Sequence, residues 1–432
     1  MLKKLCKLFL FVSGFFLFCF VIAFLLKDDA NSYSRVLKHE FYNQNKIDIL
    51  CCGASHVSHG LDTRIADVEF GKNVFNVGTP AQQIDGTAAI LEEAVSRYKI
   101  EKVFLEMDYG IITSPPAKYR TDSTADYIVL DFLRNPKIKL AYLKNISNSK
   151  NVIHSILPIG KNKLMTLDPR KVAGKIKAIL TGTYFKYEYK ASDSAYARKG
   201  CVLDDESVLH GSLYEAEFEE PFKPTDVCEE NLESLNKIVK ICRANGIELV
   251  FYSMPVTHFY LQLHQNYDEY ISFLKSYAEA NGSKYYDFNL CREKVLSLCD
   301  SDFSDDNHLN KNGIEKYSRA FCDFFTGKYS ELDFFYNSYA EKLGSMDKKI
   351  FGLVLKEAED KKSLEVIPLS NADLEKITYD VVFVTDSGNP QNLKLSGNAK
   401  IDYPAGGYGI IRIFAYADGV LNCSVEKAYF GM

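Results

Sequence analysis

The 432-residue chain has no tryptophan, no excess of basic residues, and no internal repeat or low-complexity tract. Asp and Glu (57) outnumber Lys and Arg (52), so the formal net charge is −5. A nucleic-acid-binding protein presents a basic face, and this balance therefore argues against a nucleic-acid partner. Hydrophobic residues make up 47% of the chain and charged residues 25%, an ordinary globular composition with room for two or three domains.

Cysteine is present, but the spacing of the cysteines does not define a disulfide framework. Cys6 and Cys19 lie in or beside an N-terminal apolar run, and the nine others are an odd set without a zinc-type Cys-x-x-Cys pair. This set predicts neither a disulfide framework nor a zinc site. Most of these cysteines are expected to be small core residues, as for Cys51 and Cys52 in a predicted strand.

The N-terminus carries the clearest targeting signal. Lys3, Lys4 and Lys7 precede an uncharged apolar run from Leu8 to Leu26. About 20 apolar residues span the hydrocarbon core of a bilayer. Basic residues before the run and acidic residues after it predict a single-pass anchor over residues 1–29, with the rest of the chain extracytoplasmic. A cleaved signal peptide is the alternative, and it also exports the chain.

Beyond a polar connector, short apolar strands alternate with amphipathic helical patterns. The strands are predicted at 47–52, 73–77, 102–107, 248–252 and 284–288. This alternation is typical of an α/β fold with a flavodoxin-like, doubly wound parallel sheet. The helix patterns between these strands include 61–68, 231–244 and 267–280, and a last one at 312–325 follows the fifth strand.

The α/β domain is predicted to cover residues 30–326. An insertion at about 111–225 carries helical pieces at 128–145 and 169–180 and polar, Tyr-rich loops over 184–214. Since it follows the carboxyl end of a strand, it is expected to form a lid or an acceptor-binding wall. Residues 327–349 are predicted to be a linker, and 350–432 a small β-sandwich-like module without a catalytic constellation.

Two motifs stand at opposite ends of the α/β domain. Ser55 follows the first strand in a Gly-x-Ser turn, and Asp305-x-x-His308 lies on a loop just before the last helix. A serine nucleophile needs a base, and the base needs an acid to hold its tautomer. Ser55 is therefore a candidate nucleophile with His308 as base and Asp305 as its partner. Asp306 is an alternative to Asp305 as the partner of His308. The alternative for Ser55 is a purely structural role as a turn or helix-cap residue.

A metal site at the same turn is the weaker interpretation. His56 and His59 stand close to Cys51 and Cys52 in the sequence. Strand alternation sends neighbouring cysteine side chains to opposite faces, so they cannot join in one zinc site. We predict no metal and no cofactor.

Over residues 45 to 326 these motifs resemble the SGNH (GDSL-like) hydrolases. The first block is 53–56, where the family commonly has Gly-Asp-Ser, and the last is 305–308. Residues 76–81 resemble the second block, whose glycine falls at Ala81 or, in another register, at Gly78. The third-block Asn is absent, because residues 106–109 read Glu-Met-Asp-Tyr.

The resemblance is closest to the membrane-anchored branch that includes the D-alanyl transfer protein of teichoic-acid assembly and relatives of alginate O-acetyltransferases. It implies an oxyanion site at Gly78, Ala81 or Gln82. Asp108 and His258 follow the third and fourth predicted strands, at the edge of the sheet where ligands bind, and are further substrate-binding candidates; the alternative for each is a residue that structures its loop. The resemblance also implies acyl transfer to, or ester hydrolysis on, a cell-wall or exported polysaccharide. A polytopic membrane O-acyltransferase would supply the acyl group. The alternative from a different class is a catalytically silent binding or scaffold protein of a wall-polymer assembly complex.

Overall fold

The computed structural model describes residues 2–116, 119, 124–148, 165–192, 194–205, 218, 220–359, 361–385, 391–404 and 408–430. The chain divides into two compact units. The first comprises Met1–Asp205, Val227–Tyr252 and Asn281–Lys284, and the second Glu206–Asp226, Ser253–Ala280 and Tyr285–Met432. The domain boundaries that the sequence predicts at 326 and 350 are not breaks in this grouping, and they stay predictions.

The strands of the described residues are β1 Ile49–Cys52, β2 Val74–Asn76, β3 Lys102–Glu106, β4 Ser194–Arg198, β5 Cys201–Asp204, β6 Glu248–Ser253, β7 Lys284–Asp287, β8 Ile350–Glu357, β9 Ser363–Ser370, β10 Ile377–Thr385, β11 Gln391–Ser396, β12 Ala399–Asp402, β13 Tyr408–Ala417 and β14 Val420–Phe430. The α-helices are α1 Leu2–Leu26, α2 Tyr33–Tyr42, α3 Ser55–Ser58, α4 Thr63–Phe70, α5 Ile84–Val95, α6 Thr124–Phe132, α7 Pro136–Ile146, α8 Pro169–Leu180, α9 Glu229–Ala244, α10 His258–Leu263, α11 Tyr267–Ala280, α12 Lys311–Phe325, α13 Glu331–Phe334 and α14 Tyr339–Ser345.

The central sheet confirms the predicted α/β class. Its strand order is β2-β1-β3-β6-β7, and β1 pairs in parallel with β2 and β3, as β3 does with β6. All four residues of β1 are buried, which explains the unbroken apolar run. The chain leaves β1 toward β2 and returns to β3 on the other side. The carboxyl ends of β1 and β3 therefore flank the point where ligands bind in such sheets.

The predicted helices are present, but the structure also has helices where none was predicted, including α2, α3 and α10, and it divides one predicted helix in two. The predicted polar connector contains α2, which buries Val36, Leu37, Phe41 and Tyr42. The single helical piece predicted at 128–145 is two helices, α6 and α7. Pro136 cannot continue a helix but suits a first turn, and the Asn135 side chain caps that turn by accepting from the N–H of Lys137.

Helix α1 is the predicted apolar segment. Its stretch Lys3–Leu26 is long and apolar enough to cross a membrane by length and composition. A signal sequence passes the same test. Many of its large side chains, such as Phe11 and Leu17, are exposed to the surroundings of the protein.

A hairpin lies where the sequence predicts only polar loops. Strands β4 and β5 pair antiparallel around a Lys199-Gly200 turn. The main-chain oxygen of Lys199 accepts from the N–H of Asn76, so the hairpin turn lies against the end of β2. Gly200 is required there, because its φ is +87° and a Cβ would lie 1.9 Å from the main-chain oxygen of Asn76.

The C-terminal strands form two antiparallel sheets with the orders β11-β10-β13-β14 and β12-β9-β8. Side chains from both sheets share one apolar core that includes Leu353, Val366, Val381 and Ile413. Within the second unit, Phe259 and Leu263 of α10 pack against side chains of β8 and β9. The prediction that this region is all-β is thus confirmed, and its strands are antiparallel.

Candidate functional site

The nucleophile candidate lies at a sharp turn after β1. Ser55 begins α3, is half-buried, and its main-chain oxygen accepts from the Ser58 hydroxyl at 2.9 Å. Gly53 turns the chain with a φ of +156°, and a Cβ on it would lie 2.8 Å from the Glu106 Cβ. The turn is therefore tightly held between β1 and the end of β3, which gives Ser55 a fixed backbone position.

Residues 76–81, the predicted second block, pack directly against this turn. A Cβ on Gly78 would lie 2.4 Å from the main-chain oxygen of Ala54 and 3.1 Å from the N of Ser58. Asn76 fixes the approach, since its Oδ1 accepts from the N–H of Gly78 at 2.9 Å and its Nδ2 donates to the main-chain oxygen of Val57. The N–H of Gly78 is thus already engaged within the protein.

Ala81 and Gln82 lie on the same loop but differ in exposure and in their contacts. Ala81 is exposed and adopts a φ of +49°, a left-handed conformation that favours glycine. This conformation fits the register in which Ala81 stands at the family's second-block glycine. Gln82 is buried, and its amide accepts from the Thr79 hydroxyl and donates to Thr87 Oγ1, both at 2.8 Å. These bonds give the Gln82 side chain a part in holding the loop.

Three ionisable side chains lie close together just after β1 and at the end of β3. The Nδ1 atom of buried His56 is 3.7 Å from Glu106 Oε1 and 3.5 Å from Asp108 Oδ1. Ligand atoms of the three residues lie within 4.8 Å of one another, close enough to hold a cation. This cluster differs from the metal alternative weighed from the sequence, because it contains no cysteine.

The sequence pattern does not single out Glu106. It ends a buried strand as a nearly fully buried carboxylate, with its side chain 1% exposed. A charged residue at the end of an apolar run is the signal that could have drawn attention to it. Its approach to His56 depends on β1 and β3 being neighbours, which only the sheet order reveals.

In the second unit, Asp305 and His308 form a bonded pair. The His308 Nδ1 lies 2.9 Å from Asp305 Oδ2 and 3.1 Å from Oδ1. Asp305 Oδ1 also accepts from the main-chain N–H groups of His308 at 2.7 Å and Asn307 at 3.0 Å. A carboxylate on Nδ1 selects the tautomer that leaves Nε2 without a proton.

The pKa of Asp305 lies below its ordinary value. Partial burial alone raises the pKa, but the hydrogen bond and charge of His308, with the two main-chain N–H donors, outweigh that effect. Asp305 is therefore ionised throughout the range in which an imidazole can act as a base.

The Asp305–His308 loop is anchored at both ends. The main-chain oxygen of Asp306 accepts from the N–H of Thr257 at 3.0 Å and from its hydroxyl at 2.7 Å. Asn310 caps α12 by accepting from the N–H groups of Asn312 and Gly313. These contacts order the loop around the pair before any ligand binds.

His258 has its own contacts within the second unit. Its Nδ1 lies 2.9 Å from the Tyr339 hydroxyl, and its ring also lies 4.8 Å from that of Phe351. Burial, followed by the charges of Lys342 and Lys349, holds the pKa of His258 well below its usual value. His258 is a neutral residue at the base of the β module, and its predicted contact with substrate stays a prediction.

No family model matches the chain, and no curated protein matches it significantly. Among solved structures, the chain is similar to a presumed acylhydrolase from Bacteroides fragilis. The match covers 67% of this chain and 94% of the other, at 9% sequence identity and a TM-score of 0.32. A match at this level carries no argument about activity, so function has to be argued from the residues themselves.

Proposed function

We propose that the chain is a serine-dependent O-acyltransferase or esterase that acts on cell-wall or exported polysaccharide through an acyl-enzyme. The observation that carries the proposal is the Asp305–His308 pair, whose 2.9 Å contact leaves Nε2 of the imidazole as a base. The held turn at Ser55, after the first strand of a parallel sheet, supports the assignment of the nucleophile.

The proposed chemistry has two half-reactions. Ser55 Oγ attacks the acyl carbon of an ester while its proton passes to Nε2 of His308, and Asp305 stabilises the imidazolium. The tetrahedral intermediate collapses, the C–O bond to the leaving alcohol breaks, and Nε2 returns the proton to that alcohol. A sugar hydroxyl or water then attacks the acyl-enzyme, giving its proton to Nε2, and Ser55 is released with that proton.

The oxyanion of each intermediate needs hydrogen-bond donors. The main-chain N–H of Ser55 is one proposed donor. Because the N–H of Gly78 already donates to Asn76 Oδ1 at 2.9 Å, Ala81 is the better of the two second-block choices for the other donor. The exposed, left-handed backbone of Ala81 supports this choice.

Transfer, rather than hydrolysis, is the form favoured by the resemblance. In that form α1 anchors the chain, a polytopic membrane O-acyltransferase delivers the acyl group, and the β module holds glycan. An intact N-terminal sequence on the membrane fraction would support the anchor. A mature protein that starts near Ala30 and is free in the medium would contradict it.

A second candidate function, a catalytically silent scaffold, has one specific observation in its favour. Asp108 stands where the resembling family has an Asn donor, and an ionised carboxylate cannot donate a hydrogen bond to an oxyanion. Glu106 adds a second carboxylate close to the turn, and this one is buried. Ester turnover by the purified chain separates the two functions.

The test is acetyl-ester turnover by the full chain in a mild detergent, with and without a polysaccharide acceptor. We expect Ser55→Ala and His308→Ala each to lose about 10³-fold or more in kcat without loss of folding. Ser272→Ala, at an exposed serine of α11, is the matched control and is expected to keep full activity. Wild-type turnover by Ser55→Ala would refute the nucleophile assignment.

A further inference from the structure

A cavity of about 400 Å³ lies in the first unit at the end of the apolar helix. Phe24 and Lys27, from the end of α1 and the residue after it, line one side, and Arg35 and Lys38 of α2 line another. Its volume is in the range of ligand-binding sites. The cavity belongs neither to the Ser55 turn nor to the Asp305–His308 loop.

The charges around the cavity are unbalanced. Its lining has five cationic side chains, Lys27, Arg35, Lys38, Arg134 and Lys139, against two acidic ones, Asp29 and Asp131. Both acids are engaged already, because Asp29 pairs with buried Lys175 at 2.6 Å and Asp131 pairs with Lys27. Among the described residues, Lys38, Arg134 and Lys139 form no salt bridge, and of the three Lys38 is attracted by the charge of Asp131. This local excess contrasts with the net negative charge of the chain.

The crowding of cations affects the titration of Lys38. Burial, then repulsion from Lys139, lowers the pKa of Lys38 to about 8, while attraction to Asp131 opposes this shift and Lys27 and Arg134 add weaker repulsion. Lysine normally titrates near pH 10.5. A bound anion would offset this repulsion, so the lining is electrostatically suited to an anionic ligand.

The surroundings of the cavity point to the source of that anion. Helix α8 is fastened to the end of α1, since buried Lys175 donates to the main-chain oxygens of Phe24 and Lys27. Helix α8 and the residues that follow it expose apolar side chains. Leu180 at the end of α8 is 81% exposed, and Phe185, which lines the cavity, is 57% exposed. An amphipathic helix with basic and exposed apolar residues is typical of a membrane interface.

We propose that this cavity binds the phosphate-bearing headgroup of an anionic lipid in the membrane leaflet at the end of α1. The cations would contact the phosphate, and the exposed apolar residues of α8 and Phe185 would contact the acyl chains. The inference rests on the proposed anchoring by α1 but not on catalysis at Ser55. Such a site would hold the first unit against the bilayer surface or seat a lipid-linked substrate there.

The experiment uses the full chain purified in a nonionic detergent and native mass spectrometry to measure bound ligand. Three probes separate the contributions: dioctanoyl phosphatidylglycerol, dioctanoylglycerol without a phosphate, and inorganic phosphate without acyl chains. We expect one phosphatidylglycerol to bind at least about tenfold more tightly than either partial probe. Equal binding of inorganic phosphate, or equal binding of dioctanoylglycerol, would overturn the proposal.

Matched variants assign the binding to this cavity. Lys38→Gln with Lys139→Gln is expected to weaken binding about 25-fold, from about fivefold for each cation near the headgroup. Lys72→Gln with Lys237→Gln removes the same charge elsewhere on the first unit and is expected to leave binding unchanged. The pair Lys38→Arg and Lys139→Arg keeps both positive charges and is expected to bind, which assigns the loss in the Gln pair to the missing charges.

Two further outcomes decide the proposal. An equal loss in the Lys72 and Lys237 variant would mean general electrostatic attraction and would overturn it. Ser55→Ala is expected to bind phosphatidylglycerol as the wild-type chain does. Binding that persists in an inactive chain would support the lipid site even if the proposed catalytic function failed.

Discussion

The Nδ1 atom of His308 lies 2.9 Å from Oδ2 of Asp305, and two main-chain N–H groups of the same loop point at the same carboxylate. Three donors on one carboxylate keep it ionised and fix its orientation. The imidazole is consequently held in the tautomer that a general base needs. The first two predictions concern this relationship.

Asp305 and Asp306 are expected to differ sharply in function. Asp305→Asn would leave His308 in the wrong tautomer and lower kcat about 10⁴-fold, as in the Ser-His-Asp precedent. Asp306→Asn is the matched control, because it makes the same chemical change at the neighbouring residue and keeps the main-chain oxygen that accepts from Thr257. It is expected to stay within about tenfold of wild type. Steady-state ester turnover measures both, and the reverse order would transfer the role to Asp306.

The lowered pKa of Asp305 predicts a pH-dependent contribution to stability. A carboxyl whose pKa is lower in the folded than in the unfolded state stabilises the fold above its unfolded pKa of about 3.8. That contribution is lost as the pH falls through the folded pKa. The difference in Tm between wild type and Asp305→Asn should therefore be larger at pH 7 than at pH 3. A difference that grows as the pH falls would contradict the stabilisation of the ionised Asp305 carboxylate.

Gly78→Ala is expected to disturb the nucleophile turn. The new Cβ would lie 2.4 Å from the main-chain oxygen of Ala54, so the loop or the turn must shift. We expect a loss of about 1–3 kcal/mol of stability and about 100-fold in kcat/KM. Gly174→Ala in α8, where a Cβ meets nothing within 4 Å, is the control and should be neutral or stabilising by up to about 1 kcal/mol. Equal effects of both variants would argue against a close approach of Gly78.

Asp108→Asn tests why the third-block donor is absent. The change replaces a carboxylate that cannot donate with an amide that can, so kcat for ester turnover is expected to rise about tenfold. Asp204→Asn removes a carboxylate that lies 3.0 Å from a different histidine of the first unit, His59, and should leave kcat unchanged. A fall in kcat for Asp108→Asn would instead mean that the His56–Glu106–Asp108 cluster needs its charge.

Much of the fold could be predicted because the core strands are short apolar runs with turn residues on both sides. Strand β1, with four buried residues, is an example. The β4–β5 hairpin was missed because its five-residue first strand has no large aliphatic side chain and is only partly buried. Its position against β2 depends on the close approach of Gly200 to Asn76 and on the hydrogen bond from the Asn76 N–H to the main-chain oxygen of Lys199, which no local pattern encodes.

In the candidate site, too, some contacts could be predicted from the sequence and others could not. The contact of Asp305 with His308 follows from a three-residue spacing on one loop, and the sequence predicts it. The grouping of His56 with Glu106 and Asp108 requires knowing that β1 and β3 are adjacent. The engagement of the Gly78 N–H by Asn76 is likewise invisible in the sequence, because it depends on the shape of the loop after β2.

The most direct test of the central claim is to trap the nucleophile. The full chain is treated with a fluorophosphonate, digested, and its peptides are analysed by mass spectrometry. The account predicts a single adduct on Ser55 in the wild-type chain, loss of the adduct in Ser55→Ala, and labelling at least about 100-fold slower in His308→Ala. An adduct on another serine, or labelling of Ser55 at the same rate in His308→Ala, would contradict it.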